Sequence, residues 1–270
     1  MRLINRKPQS PRLLGVLPVA AAVCLYLATS GARLAENPDD KLMPSPLSMA
    51  EAWRGMALAP DGRSERYLFW DDTAASLARM AVGLGITTSV ALVVSLGIGM
   101  FPHVRATLAS SVTAASMIPA LAVLPILFIV FGVGEVSKIA LIVVGLLPCM
   151  VRDLSQRVLE IPEEQWIKAQ TLGASSPQLA LRVILPQMLP RLIDSVRLAL
   201  GPAWLFLISA EAISATSGLG YRIFLVRRYL AMDVILPYVA WITLLAFAFD
   251  YGLRVLRRWR FPWMDAATVP

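Results

Sequence analysis

The chain alternates between long apolar stretches and short polar connections, which is the pattern of a protein with several membrane-spanning helices. A helix needs about 20 consecutive apolar residues to cross a bilayer, and the strict polar–apolar alternation of a membrane barrel is absent from the sequence. We therefore predict an all-α, polytopic membrane protein with about six transmembrane helices. The predicted spans are 13–30, 80–101, 107–131, 136–151, 192–213 and 237–253.

Basic residues indicate the orientation of these spans. Four basic residues and no acid precede the first span, and four arginines follow the last one. Such clusters stay in the cytoplasm. The first apolar segment is either an uncleaved span or a signal peptide cleaved near Ser30, and both alternatives give the same topology. The expected order is a cytoplasmic N-terminus (1–12), a first span (13–30), an external segment (31–79), a helical core (80–262) and a cytoplasmic tail (263–270).

One polar interruption, residues 160–191, carries its own helix signals between the fourth and fifth spans. Pro162 suits the first position of a helix, because a proline there loses no needed donor. Glu163 and Glu164 then lie in the first turn, where the helix dipole favours acids. Gly173 suits a left-handed cap at the end of that helix. A structured cytoplasmic helix in an otherwise apolar chain predicts a docking element for a soluble partner.

The same interruption predicts a second helix. Ser176 and Pro177 have the sequence of an N-cap and a first helical residue. Pro186 and Pro190 are expected to end this helix, since proline inside a helix removes a hydrogen bond.

Composition excludes several classes of protein. The chain is 57% hydrophobic, has a mean hydropathy of +0.65 and is only 16% charged. Its net charge of +7 is assigned to arginines that flank spans, and no nucleic-acid partner is expected. Cys24 and Cys149 lie in apolar segments and are interpreted as packing residues. With His103 as the single histidine, and without a phosphate-binding Gly-x-x-x-x-Gly-Lys motif, we expect no metal, no cofactor and no ATP hydrolysis by this chain.

Two prolines and one charged pair are candidates for the solute pathway. Pro119 and Pro125 fall inside the third span, where they imply kinks that line a cavity or simply bend the helix. Asp194 and Arg197 are three residues apart near the inner end of the fifth span and could pair on one helix face. They belong either to a functional site or to the headgroup level.

Glu211 is the third candidate, at the outer end of the fifth span. It either shapes the outer mouth of the pathway, pairs with an arginine of the 222–228 segment, or is a solvated helix end.

The cytoplasmic interruption resembles the signature loop of permease subunits of ATP-binding-cassette importers. That loop reads Glu-Ala-Ala, three residues, Gly, about nine residues, an aliphatic residue, one more and Leu-Pro. Here Gly173, Val183, Leu185 and Pro186 match in register, but the opening triplet is replaced by Ile167-Lys168-Ala169. The resemblance implies contact with a cytoplasmic ATPase, and we expect Glu163, Glu164 or Lys168 to replace the contact made by the family's glutamate.

Three other runs are similar to the branch that serves nitrate, taurine, alkanesulfonates and related compounds. They are Leu124–Leu127 with Phe131-Gly132, Ala210–Ala212, and Ser217–Tyr221. Residues 35–38 and 222–229 further resemble permeases associated with urea or guanidine carboxylase, which implies a guanidinium or urea-like cargo. The resemblance covers about residues 70–262.

This resemblance implies the type I importer permease fold, a location in the bacterial cytoplasmic membrane, and several partners. These are a second permease copy, a cytoplasmic ATP-binding subunit, and a periplasmic or lipid-anchored solute-binding protein. The rival classes are a secondary transporter driven by an ion gradient and a membrane-embedded enzyme. The first would have inverted repeats and midplane carboxylates, and the second a cluster of catalytic groups. The sequence shows no clear repeat, and Asp250 is the only acid well inside a predicted span.

Overall fold

The computed structural model describes residues 11–37, 40–60, 62 and 65–266, and these fold mainly into helices. Most of the predicted N-terminal segment 1–12 and the end of the predicted tail 263–270 lie outside the described residues. The helices are α1 (Pro11–Glu36), α2 (Pro46–Leu58), α3 (Leu68–Met100), α4 (Pro102–Ala115), α5 (Ala120–Phe131), α6 (Glu135–Leu159), α7 (Glu163–Thr171), α8 (Ser176–Leu179), a π-helical segment (Ala180–Ile184), α9 (Leu185–Ser214), α10 (Leu219–Val226), a 3₁₀ turn (Arg227–Tyr229), α11 (Met232–Arg260) and α12 (Pro262–Ala266).

The chain divides into two compact units. Among the described residues, an N-terminal unit contains those from 11 to 67 together with 226–239, and a core unit contains 68–225 and 240–266. In the N-terminal unit, the segment after α1 folds back on that helix. The Tyr26 hydroxyl donates to the carbonyl of Pro44 at 2.7 Å, and Ser30 Oγ donates to that of Met43 at 3.0 Å. Arg33 pairs with Asp40, and this hydrogen bond lowers the pKa of the Asp40 carboxyl below its usual value.

Small residues at every fourth position bring α3 against α6 in the core unit. All five are buried: Gly83, Thr87, Ala91, Ser95 and Gly99. A side chain at Gly99 would meet Val158, since an added Cβ would lie 2.3 Å from Val158 Cγ1. The stripe lets the backbones of α3 and α6 approach closely.

Four helices among the described residues are long and apolar enough to cross a membrane. They lie within Val16–Glu36, Leu68–Met100, Ser176–Ser214 and Met232–Arg260, and the bent pair α4–α5 gives a fifth if it counts as one span. The predicted fourth span lies on α6, which is outside this set, although its 25 residues extend about 37 Å. Several helices exceed their predicted bounds. In particular, α3 begins at Leu68 rather than at Met80.

The predicted third span is broken at Pro119. Helices α4 and α5 meet at 97° across residues 116–119, and Pro119 is the N-cap of α5. Proline at that position has no N–H to continue the hydrogen-bond ladder of α4. At Pro125, by contrast, α5 continues without a break.

The first helix of the polar interruption forms as predicted, with one shift. Pro162 is the N-cap of α7 rather than its first residue, and both glutamates lie in the first turn. Gly173 has φ +82°. The N–H of Gly173 bonds to the carbonyl of Gln170, and that of Ala174 to the carbonyl of Ala169. This is a Schellman motif, so the predicted glycine cap is confirmed.

The predicted end of the second helix is wrong. Ser175 is the N-cap, and the helix runs through α8, the π segment and α9 as one element of 39 residues, Ser176–Ser214. Pro186 and Pro190 lie inside it instead of ending it. Pro186 cannot donate to the carbonyl of Arg182, and the π segment just before it absorbs the mismatch through a bond from the Leu185 N–H to the Ala180 carbonyl.

Candidate functional site

A cavity of about 640 Å³ lies where the break between α4 and α5 faces α6 and α9. The 97° bend opens the space, because residues 116–119 leave the path of a straight helix. On one side the cavity ends where Phe206 packs against Gly145: an added Cβ there would lie 2.4 Å from the ring. The lining residues are Ala115, Ser116, Met117, Ile118, Pro119, Ala120, Leu121, Gly145, Leu146, Cys149, Met150, Asp153, Ser195, Leu198, Ala199, Pro202 and Phe206.

The lining is mostly apolar, with few polar groups. Cys149 Sγ donates a weak hydrogen bond to the carbonyl of Ser116 at 3.8 Å. Asp153 accepts from Arg157 Nε at 3.1 Å, one helical turn away, and both side chains of this pair are about one-third exposed. An apolar cavity with a few fixed polar groups is typical of a site for a small molecule.

Only one of the predicted pathway residues lies in this cavity. Pro119 is part of the lining, whereas Pro125 is not. Asp194 and Arg197 also lie outside it, although Ser195 and Leu198 on the same helix line it.

Asp194 and Arg197 do pair, at 3.0 Å, as their spacing on one helix face predicted. The structure extends this pair into a network between α9 and α11. Arg197 also bonds Asp250 at 2.8 Å, and Arg257 bonds Asp194 at 2.7 Å. The side chains keep between 19% and 28% of their exposure. The network links α9 to α11, although partly exposed ion pairs of this kind each contribute little to stability.

Glu211 is fully buried, so its interpretation as a solvated helix end is wrong. Its carboxylate accepts from Arg79 Nη1 at 2.7 Å, from Ser76 Oγ at 2.8 Å and from the Gly220 N–H at 2.9 Å. The expected partner in segment 222–228 is also wrong, because Arg222 bonds Asp72 instead. The sequence did not reveal Arg79, which lies at a distance of 132 residues along the chain.

Arg79 extends the cluster from α9 to α6. It makes a two-point contact with Glu135, whose carboxylate also accepts from Lys138 at 2.7 Å. Acids and bases are therefore equal in number in what we call the Glu211 cluster: Asp72, Arg79, Glu135, Lys138, Glu211 and Arg222. Buried charges are tolerated only when paired and hydrogen-bonded in this way.

The Glu211 cluster also fixes the turn that precedes α10. Three consecutive N–H groups, from the last residue of this turn and the first two residues of α10, bond to side chains of α3 and α9. They belong to Gly218, Leu219 and Gly220, and their acceptors are Asp72, Ser76 and Glu211 at 2.8–2.9 Å. The run Ser217–Tyr221, which carries part of the family resemblance, is thus the part of the chain that closes this network.

We expect Gly218→Ala to destabilise the protein by about 2 kcal/mol or more. Gly218 has φ +129°, and an added Cβ would lie 2.6 Å from the Glu211 carboxylate and 2.7 Å from Arg79 Nη1. Thermal unfolding of the purified protein in detergent measures this loss. Gly85→Ala is the matched control, since nothing lies within 4 Å of its added Cβ. Equal unfolding temperatures for the two variants would contradict the packing described here.

Among the elements that carry predicted site residues, α7 is the most exposed. No residue of α7 is buried. Ile167 is 51% exposed and Leu172, at its end, is 88% exposed. Gln187 on α9 donates to Gln165 on α7 at 2.9 Å, which ties the exposed helix to the long one. The resemblance residues Val183, Leu185 and Pro186 occupy the π segment and the start of α9.

Comparison with known proteins identifies the family. The profile described as "Binding-protein-dependent transport system inner membrane component" matches residues 75–264. The chain belongs to this family. It is therefore an inner-membrane permease subunit of an ATP-binding-cassette importer, as the cytoplasmic loop predicted.

Curated relatives extend over nearly the whole permease. The taurine transport system permease protein TauC of Escherichia coli is 34% identical over 269 residues, which cover 97% of each chain. The putative aliphatic sulfonates transport permease protein SsuC of Escherichia coli is 31% identical, covering 93% of this chain and 91% of that one. The bicarbonate transport system permease protein CmpB of Synechococcus elongatus is 29% identical over 80% of each chain.

A solved structure shares the fold of the permease. A chain of the MetNI methionine ABC transporter in an inward-facing conformation superposes with a TM-score of 0.63 at 20% identity, covering 73% of this chain and 98% of that chain. The predicted all-α importer permease fold is confirmed.

Proposed function

We propose that this permease moves a small polar solute inward, in an assembly with a cytoplasmic ATP-binding subunit and an external solute-binding protein. The family to which the chain belongs supports both partners. The names of its relatives, which refer to taurine, aliphatic sulfonates and bicarbonate, support a small nitrogen or sulfur compound or a similarly small polar solute as cargo. Nitrate, taurine, sulfonates and guanidinium or urea-like compounds belong to this range.

The observation that carries the mechanism is the continuous element Ser176–Ser214. One end of this element is tied to the exposed helix α7 through Gln187 and Gln165, and its middle part lines the cavity at Ser195, Leu198 and Pro202. A movement of α7 would therefore reach the cavity through a single helix. A loop that ended at Pro186 would have required a flexible joint.

The exposed surface of α7 is proposed as the contact with the ATP-binding subunit. Glu163, Glu164 and Lys168 supply charge on this surface, and Ile167 supplies an apolar contact. Ala169 and the glycine cap at Gly173 fix where the helix ends. Val183, Leu185 and Pro186 then form the junction by which the movement enters α9.

A second copy of the permease is proposed to complete the pathway. Several apolar side chains around the cavity are exposed, including Met117 at 70%, Ile118 at 59% and Leu198 at 73%. In a membrane-spanning chain such a face contacts either lipid or another protein chain, and a path for a polar solute has to be closed off from lipid. A second copy that covers this face would convert two open cavities into one enclosed path.

We further propose that α7 lies in the cytoplasm and that the turn at 132–134, which joins α5 to α6, lies outside. The basic clusters at both ends of the chain support this orientation. In a cysteine-free background, Val133→Cys should react with an impermeant thiol reagent added to intact cells, and Gln170→Cys should react only after the membrane is opened. Both positions are exposed, so burial does not hide either of them. Labelling of Gln170→Cys in intact cells would overturn the orientation.

Uptake into proteoliposomes tests the proposed function. With the permease, its ATP-binding subunit and its binding protein reconstituted together, uptake should require ATP and the binding protein. It should persist when ionophores collapse the proton and sodium gradients. Uptake that needs a gradient but no ATP would instead establish the secondary transporter.

A further inference from the structure

We propose that the cavity at the α4–α5 break selects solutes that carry a guanidinium or ammonium group, and that Asp153 is the residue that selects them. This inference rests on the proposed function, because it takes the cavity to be part of the solute path. The proposal distinguishes these solutes from simple anions, although the names of the relatives would allow simple anions as well.

The first argument is the charge of the lining. Asp153 is the single formally charged side chain among the seventeen described lining residues, which include no lysine, arginine or histidine. The remainder of the lining is apolar or weakly polar. In such a space, one carboxylate sets the sign of the electrostatic potential that a solute meets.

The second argument concerns the helix ends at the break. The C-terminus of α4 carries a partial negative charge, and the N-terminus of α5 carries an equal partial positive charge, each about half an elementary charge. Both ends contribute lining residues, Ala115 and Ala120. The two ends together add no net charge to the lining, so Asp153 carries its one full charge.

The third argument concerns carbonyl oxygens. Among the described residues, the carbonyls of Met117 and Ile118 accept no hydrogen bond, because the bend at 116–119 directs the N–H groups of α5 away from them. Both residues line the cavity. Carbonyl oxygens and a carboxylate are acceptors, and guanidinium and ammonium groups supply only donors.

Arg157 does not prevent this role. It contacts Asp153 from one turn further along α6 and is not part of the lining. The pair is about one-third exposed on both sides, and such half-exposed pairs contribute little to stability. A cationic solute can therefore compete with Arg157 for the carboxylate at small cost.

Cys149 offers a test that needs no knowledge of the cargo. It is exposed, lines the cavity and precedes Asp153 by four residues, so the two side chains are about 6 Å apart on one helix face. In a Cys24→Ser background, Cys149 is the one remaining thiol of this chain. The probes are a cationic trimethylammonium-ethyl methanethiosulfonate and its anionic sulfonatoethyl counterpart. They are applied to open membrane fragments that contain the permease with its partner subunits, in which the partner subunits carry no cysteine.

The ratio of the two reaction rates reports the charge of the cavity, because any effect on the thiol itself cancels. One unit charge at about 6 Å in water changes each rate roughly threefold and in opposite directions, so the ratio shifts about tenfold. We expect the cationic reagent to react faster, Asp153→Asn to lower the ratio about tenfold, and Asp153→Glu to retain it. Glu160→Gln, an exposed acid near the same end of α6, is the control and should leave the ratio unchanged.

The outcomes separate the two proposals. If the ratio is the same for Asp153 and Asp153→Asn, or if the anionic reagent reacts faster in the parent, the selectivity is overturned. A ratio that falls in Asp153→Asn and is retained in Asp153→Glu supports the proposed selectivity. In parallel, ATP with vanadate should change the absolute rate of Cys149 if the cavity is part of the path. If nucleotide leaves the absolute rates unchanged while the ratio still depends on Asp153, the cavity carries the proposed charge but is not part of the solute path.

Discussion

Gly173→Val should reduce solute uptake at least about tenfold while the assembled complex still hydrolyses ATP. Gly173 ends α7 with φ +82°, where a side chain is strained even though no atom lies within 4 Å of its added Cβ. A left-handed residue costs about 1–2 kcal/mol without glycine, and a β-branched one costs more. The chain can relieve this strain by opening the Schellman motif, which would disconnect α7 from α8. Because 1.4 kcal/mol corresponds to about tenfold, a loosened joint is enough for the expected loss. Uptake and ATP hydrolysis are measured on the same proteoliposomes.

Two control variants separate this effect from general damage. Gly173→Asn should retain most of the uptake, since asparagine tolerates left-handed backbone better than other residues. Gly132→Val also introduces strain at positive φ, +76° with open space, in the turn between α5 and α6. This variant should leave the ratio of solute transported to ATP hydrolysed unchanged. A normal ratio for Gly173→Val would contradict the coupling role of α7. An equal fall in the ratio for Gly132→Val would contradict it as well.

Glu211→Gln should lower the stability of the permease by roughly 3 kcal/mol, the magnitude seen when one partner of a buried ion pair is removed. The amide cannot neutralise Arg79, which is 6% exposed, and its NH₂ group would face either the guanidinium or the Gly220 N–H. Thermal unfolding in detergent measures the loss. Transport at matched levels of complex should also fall, because the turn before α10 loses one of its anchors.

Asp250→Asn is the matched control for Glu211→Gln. It removes one charge from the network of Asp194 and Arg197, where the side chains remain partly exposed. Water can replace the lost partner there, so we expect a loss of less than about 1 kcal/mol. Similar losses for the two variants would mean that burial does not determine the importance of the Glu211 cluster.

Local signals predicted the parts of the structure that depend on a few neighbouring residues. The cap at Gly173 follows from a glycine after a short amphipathic run, and the bend at Pro119 follows from a missing donor. The end of the second cytoplasmic helix was predicted wrongly for a related reason. Proline forbids one hydrogen bond, but a π segment at 180–184 lets the helix bypass it, and packing of residues such as Ile184 and Met188 favours continuation.

Such local signals do not predict contacts between residues that are far apart in the chain. Glu211 was recognised as a candidate, but its partners Arg79 and Ser76 come from a helix more than 130 residues earlier. Without knowing that α3 faces α9, the nearby arginines at 222–228 were the natural choice. The cavity was missed for the same reason. Pro119 predicted a bend, whereas Asp153 and Ser195 reach the cavity through the packing of α6 and α9.

The most direct test of the account is the distance across the cavity in the working complex. Spin labels at Leu121 on α5 and Leu198 on α9 face this space, and dilution with unlabelled chains removes signals between copies. A second pair, Gln178 and Leu198, lies along the continuous helix Ser176–Ser214 and serves as the reference. Pulsed electron paramagnetic resonance would compare the nucleotide-free and ATP-bound states. We predict that the distance between Leu121 and Leu198 changes on ATP binding while the distance along the helix does not. An unchanged distance across the cavity in a complex that transports solute would contradict the claim that this helix carries the movement of α7 to the path.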